Sequence, residues 1–127
     1  MVLILETGLR DALANEIDNF INAGTAPELV FETSGDVAVA TIILNATLAF
    51  GSASAGVITM ADQPLSATNA AGGTVAQFSI YQNVSQGAAK VLEGNVQTSG
   101  GDINLSSLSV GATDTVELST FTITVPA

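Results

Sequence analysis

Beyond residue 27, apolar and polar residues alternate in short runs, and clusters of Gly, Ser, Asn and Asp interrupt them every 8–14 residues or so. This rhythm constrains the fold most, because period-two patterning puts apolar side chains on one face of a pleated strand. Residues 28–33, 37–50, 57–61, 74–83, 89–97, 102–105 and 113–125 read as strands. In the longest, Ile42, Leu44, Ala46, Leu48 and Phe50 share one face, with Thr41, Ile43, Asn45, Thr47 and Ala49 on the other. Ala76, Phe78 and Ile80 share a face, as do Leu92 and Val96, while Leu108 and Val110 cap the core. Turns are expected at Ser34-Gly35-Asp36 and at residues 51–56, 85–87 and 98–101, with a polar loop over 62–73. The last run changes phase, from Val116 and Leu118 to Phe121, Ile123 and Val125, which predicts a bulge or bend near Ser119-Thr120.

One helix precedes the strands, over residues 7–23. Leu9, Leu13, Ile17, Phe20 and Ile21 recur at helical spacing, opposite Arg10, Asp11, Asn15, Glu16, Asp18, Asn19 and Asn22. Thr7 is the expected N-cap, Asp11 a first-turn acid and Gly24 the terminator, and the apolar stripe is expected to lie on a sheet face or edge. The fold class is therefore mainly β: an antiparallel β-sandwich or jelly-roll-like barrel with one N-terminal amphipathic helix. At 127 residues, 47% of them hydrophobic, the chain reads as a single domain, 1–127, with a β-sandwich over 27–125.

Residues 1–6 carry the apolar run Val2-Leu3-Ile4-Leu5. It is too short, and lacks the basic start, of a secretion signal, and no stretch approaches a membrane span, so synthesis in a cytoplasm is expected. The run reads as a first strand or cap on its own domain, or as an arm pairing with a neighbouring subunit's sheet edge.

The charge balance excludes whole classes of function. Twelve acids face two bases, Arg10 and Lys90, for a net charge of −10. Phosphate backbones and anionic lipid surfaces are bound by clusters of Lys and Arg, so neither nucleic acid nor membrane is an expected partner. There is no histidine and no cysteine. The commonest general base, the thiol nucleophile and the best transition-metal ligands are thus missing.

The remaining candidates each have an ordinary structural explanation. Asp114 and Glu117 could pair as a glycosidase acid and base, yet there is no tryptophan, Tyr81 is the single tyrosine, and Tyr81 with five Phe residues scarcely supplies a sugar-stacking platform. Lys90 could activate a serine, but an outward lysine commonly protects a sheet edge. Asp36, Asp62, Asp102 and Asp114 stand apart beside turns, without the short acidic spacing of a calcium loop. Gly72-Gly73 and Gly100-Gly101 lack the strand-loop-helix setting and the lysine of a phosphate loop. The sequons at Asn45, Asn83 and Asn104 read as chance matches in a Ser/Thr-rich chain. No catalytic, cofactor-binding or metal-ligating residue is assigned, and the chain is not expected to be an enzyme.

Several segments together resemble a family of small phage and prophage virion proteins: Leu9-Arg10-Asp11-Ala12-Leu13, residues 24–31, Phe78-Ser79-Ile80-Tyr81, Leu92-Glu93-Gly94-Asn95-Val96, Thr98-Ser99-Gly100-Gly101-Asp102-Ile103-Asn104-Leu105, and the Thr-rich end over 116–125. The most specific part is residues 94–105. The resemblance implies a capsid decoration (cement) protein on the virion surface, bound to the major capsid protein and to neighbouring copies of itself, with a trimer as one arrangement. A neck, tail or fibre-associated component and a glycan-binding β-sandwich are the alternatives.

Overall fold

The computed structural model describes residues 3–83 and 90–127. It is mainly β with one helix, as the patterning predicts. Among the described residues the helix α1 spans Thr7–Asn22 and is followed by eleven short strands. These are β1 (Glu28–Glu32), β2 (Ala38–Ile43), β3 (Val57–Thr59), β4 (Leu65–Ala67), β5 (Gly73–Thr74), β6 (Gln77–Tyr81), β7 (Lys90–Gln97), β8 (Ile103–Asn104), β9 (Ser109–Val110), β10 (Val116–Leu118) and β11 (Thr122–Thr124).

Five strands form the main sheet in the order β2-β1-β6-β7-β8, antiparallel except for the β7–β8 pair. Three two-stranded ribbons, β10-β4, β11-β3 and β5-β9, complete the fold. The register sets Leu29 opposite Ile80 and Phe31 opposite Phe78, and these four buried side chains join the core. Phe121, between the last two strands, packs edge-on against Phe78 at 5.2 Å and Phe50 at 6.0 Å, joining sheet to ribbons.

Several expected strands are shorter or divided. The run over 37–50 holds its strand only to Ile43; beyond it Asn45 Oδ1 accepts the N–H groups of Thr47 and Leu48, and that local turn competes with the ladder. Leu44 and Phe50 are buried as expected, but Leu48 is exposed and Ala49 is buried. The loop expected over 62–73 contains β4, entered through a cis Gln63-Pro64 bond. The last run divides where its phase changes: β10 pairs with β4 and β11 with β3, so the bend switches partners. The turn expected over 85–87 and the start of the strand at Ala89 lie outside the described residues.

The helix has the expected length, but its docking face overturns the expectation. Ala14, Asp18 and Ile21 are the buried residues, and Ile17 is half-buried. Leu9, Leu13 and Phe20 are 50%, 42% and 53% exposed. The reason is a row of side-chain acceptors on the supposedly outer face. Asp11, Asn15, Asp18 and Asn22 accept the backbone N–H groups of Gly56, Ala53, Phe50 and Ala49 at 2.6, 2.8, 2.8 and 3.3 Å. The connector between β2 and β3 makes few ladder bonds, and buried N–H groups need partners; the helix supplies them. Arg10 adds two donors, Nε to Val125 O at 3.1 Å and Nη2 to Ala55 O at 2.8 Å. Gly56, at φ +79°, leaves room for that guanidinium.

The helix ends also differ from expectation. Glu6 occupies the N-cap position without a side-chain cap bond, and Asp11 serves the connector, not the first turn. Gly24 follows the helix for a reason of space: a Cβ there would sit 1.9 Å from the Gln82 carbonyl oxygen. Among the described residues Leu3–Glu6 form no strand; Leu3 and Ile4 are 84% and 64% exposed and Leu5 is half-buried, while Met1 and Val2 lie outside the described residues.

Candidate functional site

The four aspartate candidates are each held in a local structural contact, and Glu117 is exposed on β10. Asp62 accepts from Asn45 Nδ2 at 2.8 Å, and Asp36, in the β1–β2 turn, accepts from Gln77 Nε2. Asp102 and Asn95 exchange bonds, Asn95 N to Asp102 Oδ2 at 3.0 Å and Asp102 N to Asn95 Oδ1 at 2.8 Å, which fastens β8 onto β7. Asp114 accepts from Gly111 N at 2.8 Å within its turn. Asp114 and Glu117 do line one shallow polar groove of about 220 Å³ with Ser106, Ser107, Ser109 and Thr115, and no aromatic ring lines it. Among the described residues no three acids gather as metal ligands.

Lys90 is ion-paired, its Nζ 2.8 Å from Glu93 Oε2 and 3.7 Å from Asp36 Oδ1. The Glu93 hydrogen bond raises its pKa, which keeps the ammonium charged and works against a role as base. The sequon asparagines serve the backbone: Asn45 as above, Asn83 accepting from Thr25 N at 2.8 Å, and Asn104 accepting from Gly101 N at 2.9 Å. Gly72, Gly73 and Gly100 all have positive φ in turn or strand-entry positions.

One polar cluster carries no signal in the linear sequence. Glu32 on β1 is fully buried, and its carboxylate accepts from Ser79 Oγ at 2.6 Å, Tyr81 OH at 2.8 Å and Gln77 Nε2 at 3.4 Å. Burial and then the bond to Glu32 push the Tyr81 phenol up from its ordinary range. Ser79 and Tyr81 stand two apart on β6, so period two already puts them on one face. Only the β1–β6 register, invisible in the sequence, brings Glu32 to them. With a serine and a tyrosine both donating into a fully buried carboxylate, the cluster ties β1 to β6.

The unsatisfied surface lies elsewhere. At about 100° per residue, Leu9, Leu13 and Phe20 fall within roughly 40° of one another on α1, opposite Asp18. Beside them runs an open groove of about 450 Å³, lined by Leu13, Glu16, Ile17, Phe20, Val91 and Leu92. Its floor is shaped by a register shift in the β6–β7 ladder: Ile80 faces Leu92 but Tyr81 faces Lys90, which leaves Val91 as the extra residue. Among the described residues β8 pairs with β7 only at Val96 and Gln97. The apolar Leu3 and Ile4 stand at the helix's N-terminal end.

Among the described residues no helix is long and apolar enough to cross a membrane. Comparison with protein-family models, curated proteins and solved structures returns no match.

Proposed function

We propose that this chain is a non-enzymatic structural component of a phage particle, a decoration protein that binds the assembled major capsid protein shell and stabilises the head. The observation that carries the reading is an asymmetry of satisfaction. Asp36, Asp62, Asp102, Asp114 and Lys90 are tied into turns, side-chain contacts or ion pairs, and Glu32 into a buried cluster, whereas a helix face, a groove of apolar residues and the side chains of Leu3 and Ile4 are left exposed. Exposed apolar surface of this kind suits contact with another protein. The two bases are both engaged, Arg10 on carbonyls and Lys90 on carboxylates, which speaks against a polyanionic partner.

The choice of a phage particle as the assembly comes from the resemblance of residues 94–105 and the segments flanking them to virion proteins. Binding to the closed shell and not to free capsid subunits would stabilise the shell by mass action, repeated at every site.

Purified particles of the encoding phage or prophage, analysed for copy number and imaged by electron cryomicroscopy, test the proposal. Hundreds of copies in icosahedral order are expected. A handful at one vertex would assign the chain to the neck or tail instead, and absence from particles would remove the proposal.

A further inference from the structure

The helix does for one stretch of backbone what a neighbouring strand would do. Residues 49–51 lie antiparallel to residues 59–61: Gly51 N donates to Thr59 O at 2.8 Å and Ala61 N to Ala49 O at 2.9 Å, with Phe50 facing Met60 between them. Because β11 holds the other edge of β3, residues 49–51 form the outer row of that layer. In antiparallel pairing, a residue flanked by two such bonds turns its own N–H and C=O away from the partner. The Phe50 N–H therefore points outward, where Asp18 on the helix accepts it.

The match continues along the segment. Asp11, Asn15, Asp18 and Asn22 are spaced four, three and four apart, so at about 100° per residue they form one row within roughly 60° of the helix surface. That row meets the N–H groups of Gly56, Ala53, Phe50 and Ala49 in reverse chain order. Arg10 Nη2 adds a donor to Ala55 O. Acceptors for N–H groups and a donor for a carbonyl are what an added strand brings to an edge. Exposed edges are commonly blunted by lysine or proline, yet residues 44–56 contain neither, nor any other charged residue.

From this we infer that α1 is a removable cover: it holds closed an edge over residues 49–56 that takes up an extended chain by strand addition once the helix is displaced. The contact is autoinhibitory, because the edge is already formed in the folded chain and its cover keeps it from pairing. The inference does not rest on the virion reading.

Asp11→Ala combined with Asn15→Ala removes two of the acceptors, at helix positions outside the buried set. Amide exchange at Ala53 and Gly56 should speed up about tenfold or more, with the Leu29 and Phe31 amides of β1 unchanged, which also reports an intact fold. The net charge of −10 keeps copies apart, so association is read by sedimentation in about 1 M sodium chloride, where the screening length falls to about 3 Å. The double variant should associate more strongly than the parent. Adding Ser52→Lys, at an exposed position on the edge, should abolish that difference. A lysine adds no repulsion between acidic copies, so its effect reports the edge. Unchanged exchange at Ala53 and Gly56 overturns the inference. So does association no stronger than the parent's, or association that Ser52→Lys leaves in place. Should the double variant lose its fold, Asn15→Ala alone, at an exposed position, carries the same test with exchange read at Ala53.

Discussion

The strand β1 and the helix α1 both carry a buried acid, yet they are finished in opposite ways. All five residues of β1 are buried, so both its faces are covered, and Glu32 is saturated by Ser79 and Tyr81. Of the sixteen residues of α1 only three are buried, and Asp18 is saturated by the Phe50 N–H and Asn22 Nδ2 at 2.8 and 2.9 Å. In the strand, polar groups are satisfied inside an apolar setting and nothing is left over. In the helix, polar groups make the intramolecular contact and the apolar stripe is left outside. Amphipathicity identifies the two sides of a helix; which side turns inward depends on what the opposing backbone needs.

The largest effect should come from the covered element. Phe31→Ala removes a fully buried ring and should destabilise the fold by about 4 kcal/mol, read by denaturant unfolding; a loss under about 1 kcal/mol would mean that β1 is not the centre of the core. Next comes the helix's inner face. Asp18→Ala leaves the Phe50 N–H buried without a partner and should cost about 2 kcal/mol, whereas Asp18→Asn retains an acceptor oxygen and should cost about half that.

The same residue has a pH signature. Burial raises the Asp18 pKa above its ordinary value, outweighing the two hydrogen bonds that lower it. The folded state therefore binds the proton first as pH falls, and the stability this gives builds below the raised folded pKa, is fully present below the ordinary carboxylate value and is lost as pH rises through the folded one. Asp18→Asn should remove that gain, so the stability gap between variant and parent should change across this acid window and level off above it. A gap independent of pH would mean that the carboxyl is solvated.

Tyr81→Phe takes one donor from Glu32 and should cost about 1–2 kcal/mol. Because Tyr81 is the sole tyrosine and there is no tryptophan, its phenolate absorbance titrates without overlap, and it should ionise above the usual phenol range. Ionisation at the ordinary value would open the cluster to water. The smallest effect is expected on the outer helix face: Phe20→Ser, at a position 53% exposed, should change the stability of the dilute protein by less than about 0.5 kcal/mol. A large loss there would erase the contrast between the two elements.

Much of the fold is legible along the chain. The helix bounds, the strands β1, β6 and β7, and the break at Ser119-Thr120 follow from period and phase, because each records which side chains share a face. What stays hidden is pairing between distant segments. Asp11, Asn15, Asp18 and Asn22 look like a solvated face until the connector over 49–56 is seen to need four acceptors. Glu32 looks like the polar end of a strand until the register sets it beside Ser79 and Tyr81. The candidate surface was half legible: the stripe Leu9, Leu13, Phe20 is plain in the spacing, and its exposure is not.

Arg10 holds Val125 and Ala55 at once, and the Val125 N–H donates to Gly56 O at 2.8 Å, so the first turns of the helix and the final strand are stitched at one point. Two segments far apart in sequence that meet in this way lend themselves to rewiring. A short linker could join residue 125 to the helix, and new ends could be opened in an exposed turn such as 98–101, giving a permuted chain with the same core.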